Sequence, residues 1–120
     1  MPRVLLVEDT PALREILARL LHLQGFEVKE ATDGQDALRS LPDFLPNLVV
    51  TDMMMPVMGG LELIEKLRAN PQTANLPVVA ITADSSRQIE IRARLAGAND
   101  FITKPVDLPQ LVTRMNALLC

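Results

Sequence analysis

The stretch Leu48-Val49-Val50-Thr51-Asp52-Met53-Met54-Met55-Pro56 decides the fold. A short, unbroken run of branched apolar side chains is the mark of a strand buried on both faces. Here the run ends in a carboxylate. Pro56 and Gly59-Gly60 then break the chain. Beyond them Leu61, Ile64 and Leu67 return at helical spacing, with Leu63 beside them.

The same order, strand then polar turn then helix, repeats in both directions. Upstream, Val4-Leu5-Leu6-Val7 is a buried strand that runs into Glu8-Asp9. Leu13, Ile16, Leu17, Leu20 and Leu21 follow with helical period. Asp9 or Thr10 is expected to cap that helix, with Pro11 in its first turn and Gly25 at its end. Glu27 to Ala31 reads as a second, more polar strand at a sheet edge. Asp33-Gly34 is a turn, and Ala37, Leu38 and Leu41 mark a short helix expected to end at Pro42.

Downstream, Asn70 to Pro77 is a loop and Val78-Val79-Ala80-Ile81 is a fourth strand ending at Thr82. The helix near Ser86 to Ala96 is apolar on two sides. Ile89, Ala93 and Ala96 share one face, while Ile91 and Leu95 lie roughly opposite. Gly97 ends it. Phe101-Ile102-Thr103 is a fifth strand, followed by Lys104-Pro105. Leu108, Leu111, Val112, Met115, Leu118 and Leu119 line a last helix. Five strand–helix repeats favour a parallel sheet with helices on both faces.

Bulk properties narrow the function. The 120 residues suit one domain, 1–120, and 48% are apolar, enough for a core. A net charge of −3 and a pI near 5.1 argue against direct nucleic-acid contact. The lone Cys120 fits a reducing compartment, no stretch approaches a membrane span, and the N-terminus lacks a signal peptide. These features read as a cytoplasmic protein with no membrane partner.

In an open parallel sheet, ligands bind beyond the carboxyl ends of the strands. Those ends carry Glu8-Asp9, Asp52, Thr82 and Lys104. Taken singly, each is most often a cap or a solvated turn. Together they place three acids, a hydroxyl and an ammonium at one edge. Three carboxylates at one site repel, and a divalent cation removes the conflict. Oxygen ligands with no Cys/His cluster suit Mg²⁺, with Mn²⁺ as a substitute, rather than zinc. Lys104 and Thr82 then serve phosphate oxygens.

These residues resemble the receiver domains of two-component response regulators, the CheY-like superfamily. The matching pieces are Leu5 to Asp9, Asp52 to Gly60, Ile81-Thr82-Ala83 and Gly97 to Pro105. The resemblance implies a doubly wound (βα)5, flavodoxin-like α/β fold with a five-stranded parallel sheet in the order 2-1-3-4-5. It implies that Asp52 is the phosphoacceptor. Glu8, Asp9 and Asp52, with the Met54 backbone carbonyl, would hold Mg²⁺. Lys104 would pair with phosphate ahead of a cis bond to Pro105. Thr82 and Phe101 would be the switch pair, and Met54 and Asp84 would tune hydrolysis.

The implied partners are a histidine kinase or histidine phosphotransfer protein and a downstream protein target. That target is met by the fourth helix, fifth strand and fifth helix, and the protein acts as a monomer or weak dimer. Self-catalysed phosphoryl transfer and hydrolysis make it a signalling device rather than an enzyme. Phe101 departs from a tyrosine at the switch position by lacking a hydroxyl. A stand-alone regulator and a receiver cut from a longer chain both remain open.

Competing readings fit the residues less well. A haloacid-dehalogenase-like phosphatase wants a second aspartate where Met54 stands. A flavodoxin-like cofactor binder wants a glycine-rich phosphate loop after the first strand. A receiver-like scaffold that has lost phosphorylation would not keep all five chemical positions filled.

Overall fold

A computed structural model describes residues 1–120. Its strands are β1 (Arg3–Val7), β2 (Glu27–Ala31), β3 (Leu48–Asp52), β4 (Val78–Thr82) and β5 (Asp100–Thr103). Its helices are α1 (Pro11–Leu23), α2 (Gly34–Phe44), α3 (Gly60–Ala69), α4 (Arg87–Ala96) and α5 (Leu108–Leu119). All neighbouring strands are parallel, in the order β2-β1-β3-β4-β5. The polar strand is therefore an edge, where charged residues along β2 discourage pairing with another chain.

The sheet divides the core. On one side Leu5, Val7, Val49, Met53, Leu63, Ile64, Leu67, Ala80, Ala93 and Phe101 share a buried cluster. On the other, Val4, Leu6, Leu17, Leu21, Val50, Val79, Ile81, Ile102, Leu111 and Met115 do so. Alternate residues of each strand feed opposite layers, as the two-residue strand period dictates. So α1 and α5 cover one face, and α2, α3 and α4 the other.

Helix ends show where local rules held. Gly25 sits at φ 98° just after α1. There its N–H donates to the His22 carbonyl and that of Phe26 to the Leu21 carbonyl, the paired bonds of a Schellman end. Asp33 caps α2 by accepting from the Asp36 N–H at 2.9 Å. Asp36 answers by accepting from the Thr32 N–H at 2.9 Å. That bond holds its carboxyl below the usual aspartate range.

Two local expectations need correction. Pro42 does not end α2, which continues to Phe44. Proline in a last turn forfeits little of the helical ladder, and the stop comes from Leu45, at φ 53°, whose N–H donates to the Leu41 carbonyl. At α1 the cap position is Thr10, with no side-chain cap. The Thr10 N–H instead meets the Glu8 carboxylate at 3.1 Å.

Candidate functional site: an acidic pocket bridged by a lysine

Strand register sets the site. Val7 pairs with Thr51, Asp52 with Ile81, and Thr82 with Thr103. Glu8, Asp52, Thr82 and Lys104 thus arrive at one rim. The backbone ladder runs one step further there, with Glu8 N–H on the Ala31 carbonyl and Lys104 N–H on the Thr82 carbonyl.

At that rim the Lys104 ammonium donates to Glu8 Oε1 at 2.9 Å and to Asp52 Oδ2 at 2.8 Å. Carboxylate oxygens of Glu8, Asp9 and Asp52 all lie within 4.8 Å of one another. Glu8 and Asp52 are buried, and Asp9 is half-buried. Asp52 Oδ1 accepts from the Met54 N–H at 3.1 Å. Every buried side-chain polar atom has a partner.

Burial pushes the Glu8 carboxyl above the usual glutamate range, although hydrogen bonds from Lys104 and the Thr10 N–H pull the other way. Burial also pulls on Lys104 to lower it. Its hydrogen bonds to Asp52 and Glu8 outweigh that pull and raise it, so the ammonium is held firmly. Three clustered carboxylate oxygens with no sulfur or imidazole among them fit a hard divalent cation.

The other expected residues are placed as follows. Thr82 is fully buried, and its hydroxyl accepts from the Asp84 N–H at 3.2 Å. Asp84 is exposed, and its carboxylate turns back to accept from the Ser86 N–H at 2.8 Å. That bond holds the Asp84 carboxyl below its ordinary range. Phe101 lies inward, within the core layer that holds Ala80 and Ala93. Met53 is core, whereas Met54 is 64% exposed beside the pocket. The Lys104–Pro105 bond is cis, as expected.

Two arginines escaped the sequence reading. The Arg14 guanidinium donates to the Glu8 carbonyl at 2.9 Å and to Glu30 at 3.3 Å, tying the acidic corner to α1. Arg68 donates to the Gly97 carbonyl at 2.8 Å, to Asn99 at 3.0 Å and to the Thr73 carbonyl at 3.3 Å. It thereby caps the carboxyl end of α4 from α3. Nothing in the local sequence of either residue marks these reaches.

The response regulator receiver domain model matches residues 4–116. The chain belongs to that family. Its receiver sequence is 36% identical over 119 residues to the phosphate regulon transcriptional regulatory protein PhoB of Rhizobium meliloti, covering 99% of this chain and 52% of PhoB. A signal receiver domain of a signal transduction histidine kinase from Syntrophus aciditrophicus superposes with TM-score 0.91 at 33% identity, covering 99% of this chain and 90% of that one. The chemotaxis protein CheY4 of Vibrio cholerae gives 0.93 at 28% identity, with 99% of both chains covered. This receiver spans about half the length of the curated relatives it matches first. None of its helices is long and apolar enough to cross a membrane.

Proposed function

We propose that this receiver is a phosphorylation-dependent switch that accepts a phosphoryl group on Asp52 in a Mg²⁺-dependent reaction. The observation that carries the reading is the bridged acidic pocket, with Lys104 Nζ within 3 Å of both Glu8 and Asp52 and Asp9 alongside. Glu8, Asp9 and Asp52, with the Met54 carbonyl, would hold the metal. Bound there, Mg²⁺ supplies positive charge to the phosphoryl oxygens.

The chain's own residues do the rest. A carboxylate oxygen of Asp52 attacks phosphorus on a phosphohistidine of a kinase or phosphotransfer protein. The O–P bond forms as the P–N bond breaks, and the imidazole leaves with the electron pair and takes a proton from solvent. Met54 N–H and Lys104 orient Asp52 before attack, so positioning precedes chemistry. Lys104 follows the charge as it moves from carboxylate to phosphoryl oxygens.

A phosphoryl oxygen then accepts from the Thr82 O–H and pulls the hydroxyl away from the Asp84 N–H that donates to it. Drawing Thr82 toward the phosphoryl group frees the loop that begins α4. The resemblance implied that Phe101 turns inward into the space Thr82 vacates; Phe101 already lies in the core layer, so Thr82 is the member of the pair that moves. The outlet is the surface of α4, β5 and α5. Hydrolysis returns the carboxylate when water attacks phosphorus and the acyl oxygen leaves. Met54 cannot hydrogen-bond that water, which favours a phosphoryl lifetime that is not exceptionally short.

The test uses Mg²⁺ and acetyl phosphate with intact-mass detection. Phosphorylation is expected on the native chain, lost on chelation and absent in Asp52→Asn. Beryllium fluoride is expected to bind only with the metal present. Modification of the chain without metal, or of Asp52→Asn, would overturn the reading.

A further inference from the structure

We infer that Gly34, at the first position of α2, is a positioning residue for the divalent-cation site on the far side of the β3–α3 loop. The inference rests on the proposal that the Met54 carbonyl joins Glu8, Asp9 and Asp52 as a ligand.

The loop from Met53 to Gly59 carries that carbonyl, and its own geometry does not hold it in place. Met58 N–H donates to the Pro56 carbonyl at 2.8 Å, closing a three-residue turn. Val57, at the centre, is held at φ 67° and is largely exposed. A β-branched residue rarely adopts that conformation, so the turn persists only if its surroundings impose it.

Asp52 holds one end of the loop by accepting from the Met54 N–H at 3.1 Å, and two glycines supply the backbone restraint beyond it. Gly60 N–H donates to the Met53 carbonyl at 3.1 Å from within the same segment. Gly34 N–H donates to the Met58 carbonyl at 2.9 Å, and it is the one backbone hydrogen bond that reaches residues 54–58 from outside the β3–α3 connection. The donor is one of the amides that a helix start leaves without an internal partner.

Gly34 does not need a positive φ, so its lack of a side chain serves approach, not conformation. A Cβ there would lie 2.7 Å from Met58 Cγ and 2.9 Å from the Met58 carbonyl oxygen. The Met58 side chain could swing aside. The carbonyl cannot move without moving the loop, and with it Met54. Through this latch α2, which contributes no ligand, sets where the Met54 carbonyl sits relative to the carboxylates.

Mg²⁺ binding by isothermal titration calorimetry, paired with amide hydrogen exchange on the metal-free protein, tests this. Gly34→Ala is expected to weaken Mg²⁺ binding about fivefold or more and to speed exchange of the Met54 and Met58 amides before any metal is added. Met58→Ala, which keeps the carbonyl, is expected to stay within about twofold of wild type, below that coupling range. A Gly34→Ala protein with a lowered melting temperature but wild-type Mg²⁺ affinity and loop exchange would show a structural role only and overturn the inference.

Should Gly34→Ala fail to fold, the wild-type protein answers through reciprocity: if the latch favours the metal, the metal must favour the latch. Mg²⁺ should then slow exchange of the Gly34 amide, and an unchanged rate would overturn the proposal. Wild type that binds no Mg²⁺ at all overturns the cation reading itself, and that result is in hand before any variant is made.

Discussion

The acidic pocket and the α4–β5–α5 face are built on opposite principles. In the pocket, Glu8 and Asp52 are buried, every buried polar side-chain atom is partnered, and Lys104 touches acids at the ends of two different strands. On the face, charge is partly wet. Asp100 in β5 pairs with Arg94 of α4 at 3.6 Å and with Arg114 of α5, while Arg94 also meets Glu90 at 3.1 Å. Between these charges stand Ile91 and Leu95, 48% and 83% exposed. Buried charge is expensive to disturb and suits chemistry. Exposed ion pairs beside apolar side chains are cheap to rearrange and suit a surface that meets different company in different states.

If that contrast holds, changes in the pocket should abolish or cripple modification, and changes on the face should leave modification intact. Asp52→Asn should remove phosphorylation outright, as read by intact mass. Lys104→Met should slow acetyl phosphate uptake about 10²-fold, the scale seen when one preorganised charge donor is lost. A rate within a factor of two of wild type would break the picture of Lys104 as the pocket's cation. Met54→Asn, beside the pocket but outside its buried part, should shorten the phosphoryl lifetime, followed by mass after donor removal. An unchanged lifetime would place Met54 with the inert surface.

On the face, Ile91→Glu with Leu95→Glu should leave phosphorylation rate and melting temperature near wild type. Association with a protein that recognises the phosphorylated form should weaken several-fold. Loss of phosphorylation in that variant would erase the distinction between the two regions.

The smallest expected effect lies outside both. Asp36→Asn should cost about 1 kcal/mol at neutral pH through the reciprocal caps of α2. Because the Asp36 carboxyl is held low by the Thr32 N–H, its stabilisation is complete above the ordinary aspartate range. It fades as pH falls through the lowered value. Urea midpoints of wild type and variant should therefore converge in acid and separate toward neutrality.

Much of this was legible in the residues because strands and site obey local rules. The continuous apolar runs at Val4 and Leu48 could only be buried, and polar Glu27 to Ala31 had to lie at an edge. Parallel topology then forced Glu8, Asp52, Thr82 and Lys104 onto one rim. The strand order itself came from the family resemblance, since periodicity does not choose among sheet orders.

Long-range reach was not legible. Arg14 and Arg68 sit at ordinary helical positions, and each reaches a backbone carbonyl beyond its own helix, a partner that leaves no trace in side-chain chemistry. Gly34 reads as half of an Asp-Gly turn, and only its closeness to Met58 shows another role. Pro42 misled because the rule that proline stops a helix weakens in a final turn, where Leu45 does the stopping.

The divided core has a consequence for the α4–β5–α5 face. Inward residues of α4 belong to the layer that contains Phe101 and Met53, and those of α5 to the layer of Leu17 and Val50. A protein gripping both helices at once would clasp the two half-cores together across the edge of the sheet. Its occupancy would then register as resistance to heat in parts of the molecule it never touches.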